Sequence, residues 1–505
     1  MKQCKKERNE CRSRFLLTVA FLLCALIFAN TTTVNAAVSQ DGQYTYELDA
    51  AGQAVLTSYL GQDTEVAVPA TLDGISVSAL SGTYQNHNKI TKVKIPAGIT
   101  SVNETAFAGC YGISAFEVDP ANQSLCSDGD GVLLSKDGTV CVRYPVGKHQ
   151  SSGTYRIPAS VVNIGGYAFE GYNTPSIEIP ANVRVIGDYA FANTQNFNGV
   201  SVWEEGTQII GTYAFYKCTN LRLLDKAALP ASVNKLGVYA FAECSNIQID
   251  ISKSTITEIP DYLFYNCDNL HNLTLPETVT TVGAYALSDC NNLNEVIFDA
   301  ALRQIKEGAF AKCGNLHTVN IPEGVTAIEN NTFNGCQNLN TVVLPSTLKT
   351  IGDGAFAGCR NIHSINIPEG VTYISNTSFE GVDTSAIALN IKVQKTTIKS
   401  AKRKGKKLTI RWKKTEDAQG YVIYRSKKKN GGYKKVKTIK KAEICKCTQK
   451  VKKQKKNKKY RRRGKTSSPM LFKPIRTFLK CSPSQGHFHL THSGSIPAGY
   501  SPVVM

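Results

Sequence analysis

One apolar frame recurs along most of the chain, and residues 350–359, TIGDGAFAGC, display it plainly: an aliphatic residue five places before an aromatic one. The aromatic position is held by Phe107, Phe169, Phe191, Phe215, Phe241, Phe264, Leu287, Phe310, Phe333, Phe356 and Phe379. Its aliphatic partners are Val102, Ile164, Ile186, Ile210, Leu236, Ile259, Val282, Ile305, Ile328, Ile351 and Ile374. From Phe241 to Phe379 every step is 23 residues. A second anchor is an aliphatic-Pro pair whose proline stands eleven residues before the aromatic, as in Ile95-Pro96, Leu275-Pro276 and Ile367-Pro368. Segments such as Leu339–Leu344 alternate like a short strand, and the proline then ends it because it has no N–H to give a sheet. One 23-residue unit cannot bury its own apolar face. Stacked units can, since each covers its neighbour, so the periodicity predicts a solenoid.

The resemblance follows from these motifs. Strand, Ile-Pro, then an approximation of Val-Thr-x-Ile-Gly-x-x-Ala-Phe-x-x-Cys resembles the unit of the BspA-like class of leucine-rich-repeat proteins, over about residues 42–385. It implies a right-handed leucine-rich-repeat superhelix rich in short parallel β-strands. Residues 128–145, DGDGVLLSKDGTVCVRYP, resemble the β-hairpin insertion the family carries between early repeats, and would explain the 62-residue gap from Phe107 to Phe169. The resemblance further implies a surface protein used in adhesion to host proteins and other cells.

Composition changes along the chain. Residues 1–14 carry six Lys/Arg, Phe15–Ala29 is an apolar run, and Val34-Asn35-Ala36 offers small residues, so 1–36 reads as a secretory signal peptide. This run of fifteen residues, apolar but for Thr18, falls short of the ~20 a spanning helix needs. The formal net charge of +20 is unevenly held: residues 37–390 have 18 basic against 34 acidic residues, whereas 391–505 have 35 against 3. A nucleic-acid reading from the overall charge therefore fails for the acidic body. Residues 406–414, 420–428 and 432–441 are strand-like and resemble the first half of a fibronectin type III domain, with Trp412 and Tyr421 where that fold buries aromatics. The expected layout is a signal peptide at 1–36, a solenoid at 37–390 with an insertion at about 111–155, and an incomplete β-sandwich-like segment at 391–442. After about Ala442 no alternating strand is legible. Residues 443–505 read as a basic, disordered tail, and the Lys/Arg-rich run within it fits adenine-rich codons read out of frame.

Several residues invite chemistry. Three places after the aromatic comes a cysteine column, Cys110, Cys218, Cys244, Cys267, Cys290, Cys313, Cys336 and Cys359, read as small buried packing groups. With Phe241, Phe264, Phe310, Phe333 and Phe356 they form the expected core ladder. One cysteine per coil is not the close pairing zinc favours, and the 13 cysteines beyond residue 36 are an odd number, so a fully paired framework is excluded. Cys126 and Cys141 break the ladder and flank the expected hairpin, which could bring them together as a disulfide. Asp128-Gly129-Asp130-Gly131 has the look of a calcium loop, but Thr139 stands where such a loop requires Glu, and a turn into a strand accounts for it better. His271, His317 and His363 recur 46 residues apart, as a repeated surface position would. No HExxH, GxSxG or phosphate-cradling glycine loop is visible. The expectation is a non-enzyme without metal or cofactor. Its binding face is expected on the outward strand columns Asn272, Glu295, Thr318, Thr341, Ser364 and Thr274, Ile297, Asn320, Val343, Asn366. The expected partner is an extracellular protein or glycan, with anionic cell-wall polymer a further candidate for the basic tail and no nucleic acid; the competing function is a structural spacer.

Overall fold

The computed structural model describes residues 36–148, 154–194, 197, 199–221, 228–383 and 387–389, then 398–404, 407–412, 420–425, 434–439, 446–450 and 470–475. The expected signal peptide and most of the basic tail lie outside the described residues. The chain divides into two compact units, up to His149 and from Gln150 onward. Among the described residues every regular element is a strand, and no helix is long and apolar enough to cross a membrane.

In the first unit Ala37–Val38, Tyr44–Leu48 and Ala54–Tyr59 form an antiparallel meander. Ala54–Tyr59 then pairs parallel with Ile75–Leu80, which pairs parallel with Ser101–Val102. The first strands of the solenoid are thus templated on a meander that covers their apolar end. Beside them Glu65–Ala67, Lys92–Ile95 and Ala115–Val118 make a second parallel sheet. The core is aromatic: Tyr84 lies flat on Phe107 at 5.5 Å, and Phe107 meets Phe116 edge-on at 5.0 Å. The insertion contains the expected hairpin, Leu133–Ser135 with Val140–Arg143, and adds Leu125–Ser127 on its other side. Cys126 and Cys141 both pair with Leu134, from opposite sides. They stand two strands apart, about 10 Å at the spacing of paired strands, beyond the ~7 Å Cα reach of a disulfide. Both thiols are free, so the bridge considered above does not form.

In the second unit most of the described coils make three hydrogen-bonded runs. The first strand of the coil, ended by proline in most of them, stacks in parallel sheets, first Thr154–Arg156, Ser176–Ile179 and Gly199–Trp203, and later the six strands from Asn272–Thr274 to Ile387–Leu389. The proline then opens a tight turn, its carbonyl accepting from the N–H three residues on, as in Val183 to Pro180 and Val279 to Pro276. Next come two-residue strands, such as Thr350–Ile351 between Ala327–Ile328 and Tyr373–Ile374, which carry the aliphatic column. Ile186 through Ile351 of that column are buried, whereas Ile374, on an edge strand, is partly exposed. The third run is the turn bearing Ala-Phe: the N–H of Phe191 donates to the carbonyl of Ala214 at 2.7 Å, and that of Phe215 to Ala240 at 2.8 Å. Leu263, Thr332 and Ser378 take the alanine's place in other coils, and their carbonyls accept the same bond from Phe241, Phe310 and Phe356.

The aromatic positions form a stacked ladder through the core. Phe169, Phe191, Phe215, Phe241 and Phe264 stack at 5.0–5.8 Å, Leu287 interrupts, and Phe310, Phe333, Phe356 and Phe379 resume at 5.3–5.4 Å. The cysteines are buried and do more than fill space. Cys267 Sγ donates to the carbonyl of Phe241 at 3.1 Å, and Cys244, Cys290, Cys313, Cys336 and Cys359 each treat the preceding coil's aromatic position alike, at 3.0–3.1 Å. A buried carbonyl so receives a weak donor that a methyl group could not supply.

Beyond the coils, Ile398–Lys404, Lys407–Trp412 and Lys446–Lys450 form one antiparallel sheet, and Lys434–Ile439, Gly420–Arg425 and Met470–Ile475 another. Two of these strands fall past residue 442, where no strand was expected. Lys446–Lys450 is held by backbone pairing to Lys407–Arg411, which needs no apolar alternation. Met470–Ile475 contains Pro474, a residue that argues against a strand when only sequence is considered. The side chains of Trp412 and Tyr421 lie outside the described residues.

Candidate functional site

The late parallel sheet presents a repeated face. In each three-residue strand the middle side chain, Leu273, Val296, Val319 or Val342, points into the core, which turns its two neighbours outward. The first predicted column is continuous: Asn272 pairs with Glu295, Glu295 with Thr318, Thr318 with Thr341 and Thr341 with Ser364. Asn272, Glu295, Thr318 and Thr341 are exposed; the Ser364 side chain is not among those described. The second column is seen as the pairs Thr274–Ile297, Asn320–Val343 and Asn366–Ala388. It is less polar than the first, because Ile297 and Val343 are each about half exposed, at 52% and 50%. One residue before the first column runs another that alternates histidine and asparagine: His271, Asn294, His317, Asn340, His363. The N–H of Asn294 donates to the carbonyl of His271, and that of Asn340 to the carbonyl of His317. The Thr341 hydroxyl donates to Asn340 Oδ1 at 2.7 Å. The face therefore offers amides, hydroxyls, imidazoles and one carboxylate at the regular spacing of parallel strands. That arrangement suits hydrogen bonding to an extended partner, each coil reading the next increment of it.

The other sequence candidates resolve into structure. Asp128 Oδ1 accepts from the N–H groups of Asp130 and Val132, both at 2.9 Å, so this carboxylate closes the turn into the hairpin. Among the described residues no group of His, Cys, Asp and Glu is arranged to hold a metal ion.

A column that sequence reading passed over lies two places before the aromatic. Tyr167, Tyr189, Tyr213, Tyr239, Tyr262 and Tyr285 stack face to face at 4.8, 4.7, 4.7, 4.4 and 5.3 Å. All six adopt the left-handed backbone conformation, φ between +52° and +58°, which the tight turn before Ala-Phe requires. The rings are half-buried, and burial pushes the Tyr239 phenol up to about 12. The signal was present as Tyr-Ala-Phe or its variants in six successive coils. It went unread because a tyrosine outside the apolar frame looks like ordinary surface until stacking places the rings in register.

The profile described as BspA type Leucine rich repeat region (6 copies) matches residues 64–128, 148–258, 210–340, 257–386 and 326–405, together more than half of the chain. Among solved structures, the chain is similar to a leucine rich cell surface protein from Faecalibacterium prausnitzii A2-165, with 21% identity over 66% of this chain and 94% of that one and a TM-score of 0.39. It is similar to a leucine-rich repeat protein from Bacteroides ovatus ATCC 8483, with 21% identity over 65% and 94% and a TM-score of 0.37. The pneumococcal vaccine antigen PcpA is 17% identical over 71% of this chain and 88% of its own, with a TM-score of 0.42. No curated protein matches the chain.

Proposed function

The chain belongs to the BspA type leucine-rich-repeat family, and from that premise we propose that it is an exported adhesin, binding an extracellular protein or glycan through the outward columns of its parallel sheet. The observation that carries this reading is the unbroken register from Asn272 to Ser364, which sets small polar groups at one spacing along an exposed face. Four of the five side chains are uncharged amides or hydroxyls, which an extended partner lying across the strands can meet by hydrogen bonding. Export is supported by the basic, then apolar, then small-residue order of 1–36. The fibronectin type III-like reading of the C-terminal strands is supported by their division: first, second and fifth strands in one sheet, and the third between the fourth and sixth in the other, as a β-sandwich divides them. The role is binding without catalysis or cofactor, and the basic tail is a second contact, suited to anionic cell-wall polymer rather than nucleic acid.

The test is binding of the purified protein to an array of extracellular-matrix proteins, mucins and glycans, beside a Thr318→Lys/Thr341→Lys variant. Both sites are exposed, and exposed substitutions usually change stability by less than ~0.5 kcal/mol, so the variant should fold. Saturable binding that is lost in the variant is the expected result. Absence of binding by both folded proteins would leave the chain a structural spacer.

A further inference from the structure

The tyrosine column stops at Tyr285, and its last ring is left open. At the equivalent position of the next coil stands Gly308, with φ of +62°. Tyr285 leans toward it: the ring lies 5.3 Å from Tyr262 instead of the 4.4–4.8 Å found along the rest of the column. A Cβ on Gly308 would fall 2.3 Å from Tyr285 Cε1, so the ring occupies space that a side chain there would claim. No described aromatic ring stacks on its far face. Beside the last three rings, Tyr239, Tyr262 and Tyr285, and on past this end opens a cavity of about 500 Å3 whose lining also includes Tyr265, Asp289, Lys312, Asn331 and Asn334. That volume lies within the ~300–1,000 Å3 of small-ligand pockets. Tyr265 stands nearly edge-on to Tyr262, at 70°.

The chemistry of the wall narrows the ligand. Lys312 Nζ meets Asp289 Oδ1 at 3.0 Å, so each charge is matched and neither a simple anion nor a simple cation finds an excess of opposite sign. Asn334 Nδ2 donates to Asn331 Oδ1 at 3.0 Å, which leaves the NH2 of Asn331 and the carbonyl oxygen of Asn334 outside that bond. A fully apolar guest would strand these groups without water. The lining suits a neutral molecule with one apolar face and a rim of hydroxyls.

We propose that this pocket binds a single pyranose ring of an extracellular glycan, its C–H face on Tyr285 and its hydroxyls on Asp289, Lys312 and the Asn331–Asn334 pair. The proposal rests on the binding role given above, but it uses the turns before Ala-Phe and not the strand columns. The test is saturation-transfer NMR of the full chain with methyl glucoside, galactoside, mannoside and N-acetylglucosaminide. Transfer to the ring protons of at least one probe is expected. Gly308→Tyr should abolish it, because a tyrosine there completes the column and covers the face of Tyr285. The six column tyrosines already hold nearly the same φ, and the added Cβ would press the Tyr285 ring away from Gly308, back toward the 4.4–4.8 Å spacing of the other column rings. Tyr285→Ala should weaken binding by roughly tenfold, the scale of one aromatic contact, and if that variant does not fold, Gly308→Tyr decides. Thr318→Lys/Thr341→Lys should leave transfer intact. No transfer to any probe, or undiminished transfer in folded Gly308→Tyr, overturns the pocket. Transfer lost only in the strand variant also overturns it, while supporting the strand face.

Discussion

Removing one ring from the middle of the phenylalanine ladder should open the solenoid locally. Phe333 is fully buried and lies between Phe310 and Phe356, 5.4 Å from each and within 10° of parallel. Phe→Ala in a core costs about 3–5 kcal/mol, and each aromatic contact is worth about 0.5–1.5 kcal/mol beyond the area it buries. With a partner on both faces, Phe333→Ala belongs at the upper end, about 4–5 kcal/mol. Phe379 has a single stacked partner among the described residues, Phe356 at 5.3 Å, and its truncation should cost less, nearer 3 kcal/mol by the same scale. Coils touch only their neighbours, so the loss should stay local. The reporters are the N–H of residue 333, which donates to Ala355, and that of Gly335, which donates to Ala357. Hydrogen exchange followed by mass spectrometry should show peptides from these coils exchanging about a thousandfold faster, at 1.4 kcal/mol per factor of ten. Peptides around Phe191 should be unchanged. A long repeat array need not unfold in one step, so this local readout is safer than a single melting temperature. Acceleration of less than about tenfold, or spread evenly over all coils, would refute nearest-neighbour packing.

Alkaline pH should destabilise the protein. Burial pushes the Cys290 thiol from 9.0, and the Tyr239 phenol from 10.0, each up to about 12. The folded state then keeps protons that the unfolded chain gives up, so stability is intact below about 9 and falls as pH climbs toward 12. Thermal melts across that window should decline steadily; a flat profile would contradict the burial of these groups. Alkylation under denaturing conditions without reductant should modify both Cys126 and Cys141, read by peptide mass. In the native protein Cys126, which is only half-buried, should react before any cysteine of the buried column.

Much of the fold was legible because a repeat states its rule many times. The aliphatic five places before the aromatic, the proline that ends the strand and the cysteine three places after all correspond to separate contacts, and all were visible as columns of letters. What the letters did not show was direction and partner. The cysteine column read as filler, and only the coil-to-coil offset revealed that each thiol serves the carbonyl of the aromatic one coil back. The strand at Lys446–Lys450 was invisible because its pairing is backbone to backbone, which composition does not record. For Cys126 and Cys141 the sequence supplied two cysteines and a hairpin but not that Cys126 sits on a third strand, with Leu133–Ser135 between the two.

The division has a physical cause. A solenoid buries side chains by translation of one unit onto the next, so the residues that satisfy each other recur at a fixed period, and the sequence alone determined the coil, its frame and its core. Candidate surfaces arise where that translation is broken or exposed. The open face of Tyr285 exists because Gly308 ends a column begun at Tyr167, and the strand columns are continuous because the register aligns residues 23 apart in sequence. Those are distances between coils, and only the tertiary structure decided them.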